Sequence, residues 1–86
     1  MATPSIKVAV VTGGGHGIGR ALCRRLAKDG ALVVVADVDE PAALAVAGEI
    51  GGVARMLDVS DEDAIAQLVE DIENEHGPID MFISNA

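Results

Sequence analysis

VTGGGHGIGR, residues Val11 to Arg20, holds five of the chain's ten glycines within seven positions. A glycine inside a helix or strand costs roughly 0.5–1 kcal/mol relative to alanine. Such a concentration marks a place where the backbone, rather than a side chain, has a task. The stretch also sits at a change of pattern: the apolar IKVAVV (6–11) precedes it, and an amphipathic segment reaching Asp29 follows. A strand that turns through glycines into a helix presents unpaired N–H groups and the positive end of the helix dipole at the turn. A phosphate fits there only if no side chain blocks the backbone. The glycines are therefore expected to clear room for a phosphate.

Outward from this turn, two kinds of segment alternate. IKVAVV, ALVVVAD (31–37), GVARMLDV (52–59) and IDMFISNA (79–86) are short and rich in Val, Ile and Leu. Such runs suit strands buried on both faces of a parallel sheet. Three helical patterns lie between them. The first is expected from about Gly17 to Asp29, with Ile18, Gly19, Leu22, Cys23, Leu26 and Ala27 on its buried half and Arg20, Arg24, Arg25 and Lys28 facing water. Gly30 follows as a left-handed cap. The second starts near Pro41 with Asp39 or Glu40 ahead of it, and ends before Gly51-Gly52. The third opens at Ser60 with Asp63 three residues on, in a capping-box arrangement. It repeats Ile65, Leu68, Val69 and Ile72 at helical spacing and stops at Gly77-Pro78. The order β-α-β-α-β-α-β, with short connections, specifies an α/β fold with a parallel sheet. Right-handed crossovers give strand order 3-2-1-4, a partial doubly wound sheet of the Rossmann kind, with the third helix on the face opposite the first two.

Composition narrows the function. Eighty-six residues make one domain at most. The formal charge of −8 argues against nucleic acid and against an anionic membrane surface, and is read as a solubility device. Seven of the fourteen acids lie between Asp61 and Glu75 and read as a solvated helix face. A single cysteine, Cys23, excludes an internal disulfide and a thiolate metal cluster, and its helical position reads as core. His76 has no second His or thiol nearby in sequence, so no metal site is assigned. No apolar stretch approaches the roughly 18 residues of a membrane span, and no signal peptide is evident. A soluble, cytoplasmic protein is expected.

The glycines discriminate among phosphate ligands. Gly14 to Gly19 has the spacing of a P-loop, but Arg20-Ala21 follows where Lys and Ser or Thr are required. The GxGxxG fingerprint also fails, because counting from Gly13 and Gly15 puts Ile18 in the third glycine's place. What is present is Thr12-Gly13-xxx-Gly17-Ile18-Gly19. Asp37 follows at the end of strand 2, eighteen residues past Gly19. Asp58-Val59 closes strand 3, Gly77-Pro78-Ile79-Asp80 leads into strand 4, and Ser84-Asn85-Ala86 closes it. In this order and spacing the chain, from strand 1 to its last residue, resembles the short-chain dehydrogenase/reductase family.

The resemblance implies roles. Gly13, Gly17 and Gly19 would form the diphosphate turn, lined through the backbone by Gly14, Gly15, His16 and Ile18, with Thr12 as a brace. Asp37 would accept hydrogen bonds from both adenosine ribose hydroxyls and repel a 2′-phosphate, favouring NAD over NADP. His16 pulls the other way, since NADP-preferring members often carry a basic residue there, although an imidazole in water carries little charge at pH 7. Asp58 would bond the adenine amino group with Val59 beside the ring. The alternative for Asp58 is an acid capping the helix ahead of Ser60. Asn85 corresponds to the family's strand-4 asparagine, with the backbone of Ala86 near the nicotinamide ribose. Ser84 departs from the family's usual first Asn and is not assigned.

The family's chemistry needs a Tyr-xxx-Lys pair, a Ser and a downstream Asn. These 86 residues contain no Tyr, and their lysines are Lys7 and Lys28, so no catalytic residue is assigned. Strand 4 would also leave an open sheet edge. The expectation is that residues 1–86 are the truncated N-terminal part of a single dinucleotide-binding domain whose catalytic part lies elsewhere. The whole would be an oxidoreductase passing hydride between NAD(P) and a small alcohol or carbonyl substrate, and a homo-oligomer like most of the family. The 86 residues alone would be inactive. The alternative is a non-catalytic protein complete at this length that binds a nucleotide or a partner.

Overall fold

In a computed structural model, residues 6–85 are described. Four strands and three helices alternate: β1 (Val8–Thr12), α1 (Gly17–Lys28), β2 (Leu32–Asp37), α2 (Glu40–Ile50), β3 (Val53–Met56), α3 (Glu62–His76) and β4 (Met81–Ile83). All strand pairs are parallel, in the order β3-β2-β1-β4. The strand order and class expected from the sequence are those observed.

The two central strands explain their own composition. Every residue of β1 and all but the first of β2 are buried, so both faces need apolar side chains. On one face Val8, Val10, Val34 and Ala36 pack with Leu57 and with Leu68 and Ile72 of α3. On the other, Val11, Val33 and Val35 pack with Cys23 of α1 and Ala43, Val46 and Ala47 of α2. Helix α3 thus covers the face opposite α1 and α2. The small residues Cys23, Ala43 and Ala47 let these helices lie close to a valine surface. The edge strands β3 and β4 are only partly covered, and Phe82 on β4 remains 39% exposed.

Several local expectations are corrected. Ile18 does not join the buried half of α1 but is 74% exposed, because in the first turn of the helix the place against the Gly13 carbonyl and Asn85 is taken by Gly19, which is buried. The start of α3 is capped by Asp61, whose side chain accepts the Ala64 N–H, while Ser60 binds back to Asp58. The Ser60 hydroxyl is turned to Asp58, and Asp61 supplies the capping acceptor instead. The β3 ladder ends at Met56, so Asp58 and Val59 stand beyond the strand, and β4 ends at Ile83, before Ser84 and Asn85. Of the two acids ahead of Pro41, Asp39 is the cap of α2, its side chain accepting the Ala42 N–H, and Glu40 is the first helical residue.

Candidate functional site

The strand order reverses at β1, whose neighbours are β2 and β4, and the glycine turn leaves from its C-terminal end. A crevice opens at such a reversal because the chains leaving adjacent strands diverge. Here it is a cleft of about 500 Å³ lined by Gly13, His16, Gly17, Asp37, Val38, Leu57, Asp58, Val59 and Asn85. Seven of the ten residues singled out from the sequence line it. Gly15, Ile18 and Gly19 do not.

The glycines have a second reason that sequence reading missed. Gly13 has φ +64°, and a Cβ there would overlap the Asn85 carbonyl oxygen. A Cβ on Gly19 would overlap the Gly13 carbonyl oxygen and come within 2.7 Å of Asn85 Nδ2. A Cβ on Gly15 would come within 2.8 Å of the Ala42 Cβ. These three clear room for the protein's own chain. Gly17 differs: its φ is +51° and nothing lies within 4 Å of a Cβ, so it faces open space.

The turn is fastened on both sides. The Thr12 hydroxyl donates to the Ile83 carbonyl at 3.3 Å and accepts the Asn85 N–H at 2.9 Å, so Thr12 braces the end of β4 against β1. Toward β2, the Gly14 N–H reaches the Ala36 carbonyl at 3.1 Å, and the Gly15 N–H donates to Asp37 Oδ2 at 3.0 Å. Asp37 is 7% exposed, and its Oδ1 also accepts the Asp39 N–H at 3.0 Å. A carboxylate has about four lone-pair sites, so two backbone donors leave acceptor capacity directed at the cleft. Asp58 is exposed. Hydrogen bonds from the Ser60 hydroxyl and N–H hold its carboxyl below the ordinary carboxylate range. It orders the turn ahead of α3 through Ser60 and lines the cleft, while the cap of α3 that was the alternative for it is Asp61.

The three helix starts differ in one respect. Asp39 and Asp61 cap α2 and α3 with side-chain acceptors, and acids follow in their first turns, Glu40 in one and Glu62 and Asp63 in the other. Helix α1 starts at His16 with no side-chain cap and no acid in its first turn. Its N–H groups and dipole therefore face outward without a counter-charge.

His16 is turned away from capping. Its Nε2 lies 2.9 Å from Asp39 Oδ2, and that bond holds the Asp39 carboxyl below its usual range. Sequence reading assigned Asp39 only to the helix start. Val38 and Leu57, which line the cleft, were not singled out at all. Among the described residues no three His, Cys, Asp or Glu side chains are grouped to hold a metal ion, and no helix is long and apolar enough to cross a membrane. Ala86 lies outside the described residues.

Comparison with known proteins agrees with this architecture. The chain is 39% identical over 82 residues to the 3-oxoacyl-(acyl-carrier-protein) reductase FabG of Haemophilus influenzae, a match covering 93% of this chain and 34% of that protein. The crystal structure of a 3-ketoacyl-(acyl-carrier-protein) reductase from Brucella melitensis complexed with NADH superposes with a TM-score of 0.84 at 41% identity, over 88% of this chain and 32% of that one. A Brucella melitensis 16M structure described as ribose-5-phosphate isomerase superposes with a TM-score of 0.89 at 37% identity, over 99% and 34%. The chain spans about a third of the length of these proteins. A family model for the short chain dehydrogenases matches residues 7–86, the whole run from β1 through the glycine turn and past β4, and the chain belongs to that family.

Proposed function

We propose that these 86 residues are one unit that holds NAD(H) across the C-terminal ends of β1 and β2, as the cofactor-binding part of an oxidoreductase. The observation that carries this reading is the uncapped start of α1 beside a cleft that also presents Asp37. An anion is the missing partner of that helix start, and a buried carboxylate one strand away is the acceptor that a ribose diol needs. The residues thus fit a dinucleotide. Gly13, Gly17 and Gly19 shape the turn at the diphosphate. Gly15, His16 and Ile18 contribute backbone there. Asp37 accepts from the ribose hydroxyls, Asp58 from the adenine amino group with Val59 against the ring, and Asn85 stands at the β4 side. Asp37 favours NAD over NADP because a 2′-phosphate would bring like charges together.

The bound dinucleotide supplies or accepts the hydride, and an alcohol/carbonyl pair is the partner substrate. Support comes from the named reductase relatives and from the NADH held by the Brucella melitensis reductase. With no tyrosine in residues 1–86, the proton-transferring groups of the family do not come from this part. The test is calorimetric titration of the protein, as its native host makes it, with NADH and then NADPH. Saturable one-to-one NADH binding, tighter than NADPH, is expected. Absence of binding by either overturns the cofactor reading, and NADPH binding as tight as NADH overturns the preference.

A further inference from the structure

His16 stands between two clefts. One is the cofactor cleft, which it shares with Asp37 and Asp58. The other, of about 420 Å³, lies between α1 and α2 and is lined by Gly15, His16, Arg20, Ala42, Ala45, Val46 and Glu49. His16 is the basic residue next in the chain to Gly15, whose N–H donates to Asp37, where the ribose diol is proposed to sit. A histidine there is a ready partner for a phosphate on the 2′ oxygen. Yet its Nε2 is engaged by Asp39 Oδ2 at 2.9 Å. Asp39 is fixed in turn: its Oδ1 accepts the Ala42 N–H at 3.2 Å at the start of α2, and its own N–H donates to Asp37 Oδ1. The carboxylate holding the histidine and the carboxylate proposed to hold the ribose therefore belong to one hydrogen-bonded turn.

We infer that Asp39 is a specificity-determining residue: by engaging His16 it occupies the basic side chain a 2′-phosphate would use, and it adds a second carboxylate beside Asp37. The inference rests on the cofactor reading above. It reconciles the two opposing signals in the sequence, a basic residue in the glycine turn and an acid at the end of β2. Charge-assisted hydrogen bonds are the strong ones in phosphate recognition, so which anion His16 serves sets the ratio of NADH to NADPH affinity. Protonation of His16 acts against the groups that face it: Asp39 from the turn, Asp37 from β2, Asp58 across the cleft, and Arg20 and Glu49 in the second cleft.

The test is the Asp39→Ser variant, because serine keeps a cap for α2 but is too short to hold the ring. Dissociation constants for NADH and NADPH are measured at about pH 5.5, where histidines carry a proton, and at about pH 8, where they do not. In Asp39→Ser the NADPH/NADH affinity ratio is expected to rise about tenfold at the lower pH, with a smaller rise at the higher. In the double variant with His16→Ala the pH-dependent part disappears. NADH affinity in each variant reports whether the cleft is still formed. An unchanged ratio in Asp39→Ser, with NADH binding retained, overturns the inference and leaves the cofactor reading standing. A ratio that rises equally at both pH values overturns the role of His16. If the unaltered protein binds neither dinucleotide, both fail together.

Discussion

The Gly15 N–H donates to Asp37 Oδ2 at 3.0 Å across 22 residues of sequence. This bond joins the glycine turn to the end of β2. It makes the carboxylate a structural tie before any ligand arrives, and it explains why an anion is tolerated at 7% exposure. With the Asp39 N–H on the other oxygen, the group is oriented by two backbone donors. A carboxylate so held is preorganised: a diol would not have to pay for ordering it.

Replacement of Asp37 by asparagine is expected to weaken NADH binding by at least about tenfold, since hydrogen bonds to a charged acceptor contribute roughly 1.5–3 kcal/mol. NADPH should gain relative to NADH because the repulsion of the 2′-phosphate is removed. The amide retains one acceptor oxygen, so the stability loss should be about 1 kcal/mol. Parallel titrations and thermal melts check both effects. Unaltered NADH affinity would remove Asp37 from the site.

Gly19 and Gly48 both lie inside helices, where alanine is ordinarily better by roughly 0.5–1 kcal/mol. The structure predicts opposite signs. A Cβ on Gly48 meets nothing within 4 Å, so Gly48→Ala should stabilise by about that amount. A Cβ on Gly19 would overlap the Gly13 carbonyl oxygen, a backbone atom held by the turn, so Gly19→Ala should destabilise by about 1–3 kcal/mol. Urea unfolding midpoints of the two variants give the comparison. Equal shifts would mean that the close approach at Gly19 is relaxed in solution.

Cys23 is fully buried between α1 and the sheet, and burial pushes its thiol up to about 11. The native protein at about pH 8 should therefore react with a thiol reagent only as fast as it opens, and rapidly once unfolded. The linkage has a definite sign. Between the ordinary thiol value of 9.0 and about 11 the unfolded chain loses the proton and the folded one keeps it, so stability falls as pH rises through that window. Cys23→Ala should flatten that alkaline limb. Fast labelling of the folded protein would contradict the burial.

Legibility from sequence followed the range of the interaction. The alternation of β-rich runs with helical patterns specified the parallel sheet, because strands buried on both faces need apolar side chains on both, as Val8–Val11 and Val33–Ala36 supply. That Asp37, Asp58 and Asn85 line the cleft was legible because each lies at or just past the C-terminal end of a strand, where α/β folds open their crevice. The packing role of Gly13 was not, since it depends on how closely Asn85 approaches, 72 residues away in the chain, and that of Gly19 depends on how the turn folds the Gly13 carbonyl back onto α1. The His16–Asp39 pair was hidden for the same reason. Ile18 misled because periodicity registers which side of a helix is apolar, whereas in the first turn of α1 the covered position belongs to Gly19 and Ile18 stays exposed.

Asp80 clamps the opposite end of the sheet and makes acid stability testable. Its Oδ2 accepts the Lys7 N–H at 2.8 Å and the Val8 N–H at 3.0 Å, and its own N–H donates to the Val8 carbonyl at 2.9 Å. The Val8 and Lys7 N–H bonds hold its carboxyl below the ordinary carboxylate range. A depressed folded value means that the stabilisation is fully present above the unfolded value of about 3.9 and is lost as pH falls through the folded one. Stability should therefore decline from about pH 5 downward. Asp39, Glu49, Asp58 and Asp71 are lowered too and contribute to the same decline, so the informative quantity is a difference. Asp80→Asn cannot offer two donors the same anionic oxygen. It should be less stable at neutral pH and should approach the unaltered protein as both are acidified. Denaturant midpoints at several pH values below about 6 measure the gap. A gap that stays constant to the lowest pH would mean that Asp80 acts through shape alone, and the ionic clamp between β1 and β4 would be wrong.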